Sequence, residues 1–136
     1  MQTFNQVEPV KSEDRIQQEA VKYFRNTYCL DINPNPGLIL SVPLEACKAH
    51  WTKYANTGAI AGTSDLIGFK WCEVPRLTHW QPFFAETKTM EKKANGDWLK
   101  AQNPSQEAFE AKCKSMGIPY FVYRSEEEFC QVIKSL

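Results

Sequence analysis

The sequence predicts an α/β domain in which a mixed central sheet is flanked by helices. Three observations carry this expectation. Short runs rich in apolar, β-branched and aromatic residues, "LILSV", "LIGFKW", "FFAETK" and "IPYFVYR", are interleaved with helix-length stretches. Two of those stretches, "EDRIQQEAVKYFRNTY" and "SEEEFCQVIKSL", are amphipathic and open on acids, as the helix dipole favours. The chain has 136 residues, 43% of them hydrophobic, which is enough for one domain with a real core.

The elements follow in order. Residues 1–11 carry no periodicity and read as a flexible, extended arm before a single domain. Ser12 is placed to N-cap the first helix, with Glu13 and Asp14 in its first turn. Two prolines and a glycine in "DINPNPGL" end it. "LILSV" is a strand stopped by Pro43, "LEACKAHWTKY" has weak helical character, and "NTGAIAGTSD" is a loop of small residues leading into "LIGFKW". "CEVPRLTHWQP" looks like a hairpin excursion before "FFAETK", and "EKKANGDWLKAQN" reads as a polar loop. Asn103 and Pro104 start a helix that Gly117 closes. "IPYFVYR" is the last strand, and a capping box from Ser125 to Glu128 opens the last helix. The order is α-β-(α)-β-β-α-β-α.

Lysine and arginine number 16 and so do the acids, so no global basic field draws in polyanions; such a site has to be a local patch. Five scattered cysteines form no C-x-x-C pair, and His50 and His79 stand apart from them, which argues against a zinc site or a disulfide framework. The polar start "MQTFNQVEPVKSED" has no apolar signal region and no long apolar run follows, so the expectation is a cytoplasmic protein without a membrane segment.

Candidate chemistry gathers on three acids. Side chains alternate along a strand, so Glu86 and Lys88 share one face of "FFAETK" while Phe83, Ala85 and Thr87 take the other. Asp65 stands where a small-residue loop meets a strand. Hard cations prefer oxygen ligands, one or two of them carboxylates, so Asp65, Glu86 and the Thr87 carbonyl are candidate ligands for Mg²⁺ or Mn²⁺. Lys88 would orient a water or offset charge on a phosphate. Each feature also has a plain explanation: a turn acid at Asp65, a solvated pair at Glu86 and Lys88. The third acid is Glu13. At 100° per residue, Ile16, Ala20, Val21, Tyr23, Phe24 and Tyr28 form the apolar stripe of the first helix, Glu13 projects near its middle with Gln17 on the same face, and Glu19 falls to one side. A first-turn acid that merely suits the dipole would sit there equally well.

"EDRIQ", "GTSDL", "ETK" and "SQEAFEAKCKSMGIPYFVYRSEEEF", in that order, resemble the motifs of the VRR-NUC family in the PD-(D/E)XK nuclease superfamily, over residues 12–136. The resemblance implies a nuclease-like core, α-β-β-β-α-β, with an extra C-terminal helix. It implies an Mg²⁺- or Mn²⁺-dependent DNA endonuclease with Asp65 and Glu86 as metal ligands, Lys88 at the scissile phosphate, and Glu13 joining the metal site directly or through water. Gln17 and Gln106 are then supporting groups. Small standalone members imply a homodimer acting on branched DNA such as four-way junctions; Lys92, Lys93, Lys100 and Trp98 are candidate DNA contacts. Ser64 stands where the family often has proline, and 71–82 and 89–103 look like insertions. The alternatives are a catalytically idle module of this fold that binds DNA or protein, and a structural domain with accidental matches.

Overall fold

The computed structural model describes residues 10–75, 77–99 and 101–136, so residues 1–9 of the expected arm lie outside it. Helix α1 (Glu13–Tyr28) begins where Ser12 accepts the Arg15 N–H at 3.2 Å. Ile16, Ala20 and Phe24 form its buried row, and half-buried Glu13 extends that row toward the N-terminus. Glu19 lies off the row, paired with Lys11 at 2.9 Å and Arg15 at 3.3 Å. After the proline-rich turn, the Gly37 N–H closes back on the Tyr28 carbonyl at 2.7 Å and starts the sheet.

Four strands follow: β1 (Leu38–Ser41), β2 (Leu66–Val74), β3 (Leu77–Thr87) and β4 (Tyr120–Tyr123). They lie in the order β1-β2-β3-β4; the first two pairings are antiparallel and β3 with β4 is parallel. Between β1 and β2 the chain makes α2 (Leu44–Cys47), a 3-10 turn (Lys48–His50) and α3 (Trp51–Asn56), resolving the weak helical signal there. The parallel pairing needs a crossover, and α4 (Pro104–Ser115) supplies it. Helix α5 (Glu126–Ser135) closes the chain.

Alternation on β3 divides the molecule. Phe83 and Ala85, with Leu66, Ile39 and Tyr123, face Ile16, Ala20 and Phe24 of α1 and Phe129 and Ile133 of α5. Phe24, Phe83 and Phe129 meet edge to face, 5.4–6.5 Å between ring centres. Each such ring contributes roughly 1.5–3 kcal/mol through burial. On the other face Phe84 meets Phe109 of α4 at 5.1 Å, and Phe109 meets Tyr120 at 6.0 Å. Helices therefore cover both faces, and Glu86 and Lys88 fall on the α4 side.

The expected excursion between two strands is instead their continuation. β2 and β3 form one long hairpin paired from Leu66↔Ala85 out to Val74↔Leu77, so 71–74 and 77–82 continue the two strands. Pro82 suggests a break, yet it sits in β3 opposite Phe69. Its nitrogen faces the β4 side, and β4 begins only at the next rung, Phe84↔Tyr120, so no ladder bond is lost. The 89–103 stretch is not wholly a loop either: Lys92 and Trp98 form an antiparallel bridge around Gly96.

Candidate functional site: a buried carboxylate pair

Asp65 is fixed by its neighbours. Fully buried Ser64 donates its hydroxyl across it to the Leu66 carbonyl at 2.9 Å, and the Val42 N–H donates to the Asp65 carbonyl at 2.8 Å. Ser64 thus pins the backbone on either side of Asp65. β2 and β3 part company after Leu66↔Ala85, which leaves Thr87 without a strand partner on that side. The Asp65 carboxylate fills the gap, its Oδ2 accepting the Thr87 N–H at 2.8 Å. In an antiparallel ladder a residue turns its N–H and C=O to the same side, so the Thr87 carbonyl also faces the Asp65 side. The Thr87 side chain points into the core and donates to the Tyr123 hydroxyl at 2.6 Å.

The turn before Asp65 is docked on α4. Gly62 has φ +82°, and a Cβ there would lie 2.1 Å from the Ser105 carbonyl oxygen. Only glycine permits both the turn and the approach. That contact brings the first turn of α4 to Asp65, and Gln106 with it. Asn103 and Gln106 form a capping box: Asn103 Oδ1 accepts the Gln106 N–H at 2.9 Å, and Gln106 Oε1 accepts the Asn103 N–H at 3.1 Å. The same Oε1 accepts Lys88 Nζ at 3.1 Å, while Gln106 Nε2 donates to Glu86 Oε1 at 2.9 Å. Two donors on Oε1 orient the amide, and its NH₂ is thereby aimed at Glu86.

Glu86 is 4% exposed, and its second oxygen, Oε2, is buried without a hydrogen-bond partner among the described residues. Lys88 Nζ stands 3.9 Å from Oε1, beyond a hydrogen bond. Burial, together with the neighbouring Asp65 carboxylate, pushes the Glu86 carboxyl up to about 8. Burial raises Asp65 as well, against the Thr87 N–H that favours its charge. Burial and Glu86 also push the Tyr120 hydroxyl upward. Two acids are thus held together with too little positive charge to keep both ionised.

The other sequence-selected residues lie around this centre. Among the described residues no three of His, Cys, Asp and Glu are grouped to hold a metal ion. The Glu13 carboxylate acts on Arg124, whose guanidinium is favoured in its charged form by Glu128 and Glu13 against its burial. Gln17 stays outside the network and lines a cleft between α1 and β1. Trp98 carries the Lys92 ammonium at 4.8 Å and the Arg124 guanidinium at 3.8 Å, so cations already occupy its ring. Lys92 and Lys93 are exposed, and Lys100 lies outside the described residues.

Sequence reasoning did not single out Arg124. It is 9% exposed, donates to the Thr89 carbonyl and ties the segment after Lys88 to the end of β4. The available signal was a lone cation closing the apolar run "IPYFVY". No protein-family model matches the chain, and neither does any curated protein or solved structure. No helix among the described residues is long and apolar enough to cross a membrane.

Proposed function

We propose that the protein is a divalent-metal-dependent endonuclease that hydrolyses phosphodiester bonds in branched DNA, four-way junctions included. One observation carries this reading: a buried carboxylate pair with an orphaned oxygen, Glu86 Oε2, beside an Asp65 carboxylate that also resists ionisation. Ionising both members of such a buried pair is costly with Lys88 as the neighbouring cation, and a divalent ion would offset that cost. The donor set fits Mg²⁺ or Mn²⁺: Asp65, Glu86 and the Thr87 carbonyl are all oxygen, and such ions keep several waters. A bound ion supplies a Lewis acid and a water acidified toward hydroxide.

The chain's own groups then have separable tasks. Asp65 and Glu86 bind, and Gln106 holds Glu86 Oε1 so that Oε2 is left for the cation. Lys88, anchored by Gln106 Oε1, keeps further N–H donors for the attacking water or a phosphate oxygen. Hydrolysis makes a bond from that water's oxygen to phosphorus as the opposite P–O bond breaks. Glu13 would contribute to the metal site directly or through water, or through Arg124. The element order and the parallel β3–β4 pairing support the nuclease-like core. A homodimer suits junctions, because two cuts across a symmetric junction call for two sites related by a two-fold axis.

The reading is tested by incubating the protein with Mg²⁺ or Mn²⁺ and labelled junctions, flaps, duplexes and single strands. Metal-dependent cleavage, strongest on branched substrates and lost in Asp65→Ala, is expected. No cleavage of any substrate by a folded, metal-loaded protein would leave the idle binding module in its place.

A further inference from the structure

β1 is an edge strand, and among the described residues no strand pairs with its open side. The Val42 N–H to Asp65 carbonyl bond sets the parity of the β1–β2 ladder. Leu38 and Leu40, opposite Phe69 and Ile67, share that parity and bond to β2; Ile39 and Ser41 therefore turn their N–H and C=O groups away from the sheet. Edge strands are commonly blunted by lysine, proline or a bulge, and "LILS" has no lysine or proline. This edge forms one wall of a cleft of about 510 Å³, and α1 forms the other with Asp14, Gln18, Lys22, Arg25 and Asn26. Neither Lys22 nor Arg25 makes an ion pair among the described residues. Asp14 stands at the other end of this wall, about 16 Å from Arg25 along the helix axis.

We propose that this cleft docks an extended peptide of a partner protein as a fifth strand on β1, with an acidic side chain of the peptide at Lys22 and Arg25. A peptide strand brings alternating N–H and C=O groups, which match the donors and acceptors at Ile39 and Ser41. A nucleic-acid backbone brings only acceptors and would meet Asp14. The site is separate from the carboxylate pair, so this inference stands whether or not the protein cleaves DNA.

The test is to pan a phage-displayed library of random dodecapeptides on the full chain and map the selected peptides by amide hydrogen exchange. Binders that carry Asp or Glu and protect the Ile39 and Ser41 amides are expected. Reversing both charges, Lys22→Glu with Arg25→Glu, should weaken them about tenfold or more. Ser41→Pro deletes one outward N–H and leaves the β1–β2 bonds intact, so with the fold unchanged by circular dichroism it should cost about fivefold. A library that yields no binder sensitive to these changes overturns the proposal, as do binders that leave the two amides exchanging freely. A short oligothymidylate protecting those amides would give the cleft to nucleic acid. Binding seen only after deletion of residues 1–9 would give it to the chain's own N-terminal segment.

Discussion

Glu86 is the residue on which most of the proposed chemistry turns, and its environment gives it a pH signature. Its folded value near 8 lies above the ordinary 4.5, so between these values the folded chain holds a proton that the unfolded chain has released. Metal-free stability should therefore be fully present below about pH 4.5, fall as pH rises toward 8, and level off beyond. The loss is a few kcal/mol at most, because a tenfold difference in proton affinity between the two states is worth on the order of 1.4 kcal/mol. Denaturant melts at several pH values should show this slope in the wild type and a much weaker one in Glu86→Gln. An identical slope in the variant would place the titration elsewhere. For catalysis, Asp65→Ala and Glu86→Ala are each expected to lower junction cleavage by about two orders of magnitude or more with the fold retained. Lys88→Ala should keep Mn²⁺ affinity and lose rate, because a charged ammonium cannot be a ligand.

At the scale of elements, a helix cap has become part of the site. The box that opens α4 satisfies backbone donors, as any such box does, but its Gln106 amide continues to Glu86 and Lys88. Asn103→Ala should cost about 1 kcal/mol of stability from the cap. It should slow cleavage less than loss of Gln106 does, because the cap on the first turn is loosened while the Asn103 N–H that Gln106 Oε1 accepts is kept. Gln106→Ala is expected to reduce metal affinity or rate by about 10- to 100-fold. A rate unmoved by both changes would reduce the box to a cap alone. Gly62→Ala should damage fold and activity together, since it forces φ +82° on alanine and drives a methyl group into the Ser105 backbone. For α1, Glu13→Gln is expected to destabilise the chain through buried Arg124, whereas Glu19→Gln, at a partly exposed pair, should be nearly silent.

Across the whole molecule, the element order and the face alternation of β3 were legible because they follow from local rules. Caps at Ser12, Asn103 and Ser125 announce helices, and period-two alternation places Glu86 and Lys88 together. A hairpin was legible in "CEVPRLTHWQP", but its continuity with the flanking strands was not, because only strand order shows that Pro82 faces a side where no partner has begun. The site was legible as Asp65, Glu86 and Lys88 and not as a network, because the docking of Gly62 on Ser105 that delivers Gln106 is a contact between distant segments. Helical phase placed Glu13 on the core row correctly but could not choose its partner, which lies at the end of β4. Apolar Leu38, Leu40 and Trp80 are 41–54% exposed and lie on the α4 side of the sheet, the face opposite α1. If the protein dimerises through that face, Trp80→Glu should yield monomers in light scattering and lose paired junction cuts; a dimer that survives it uses another surface.

The central claim, that the Asp65–Glu86 pair is a divalent-cation site, is tested most directly by titrating Mn²⁺ into the protein at pH 7 by calorimetry in buffers of different ionisation enthalpy. Glu86 is mostly protonated at that pH, so a cation that takes both carboxylates must displace its proton. The expected result is binding with release of about one proton, with both signals lost in Asp65→Ala and the proton release lost in Glu86→Gln. Binding without proton release, or binding unchanged in either variant, would contradict it.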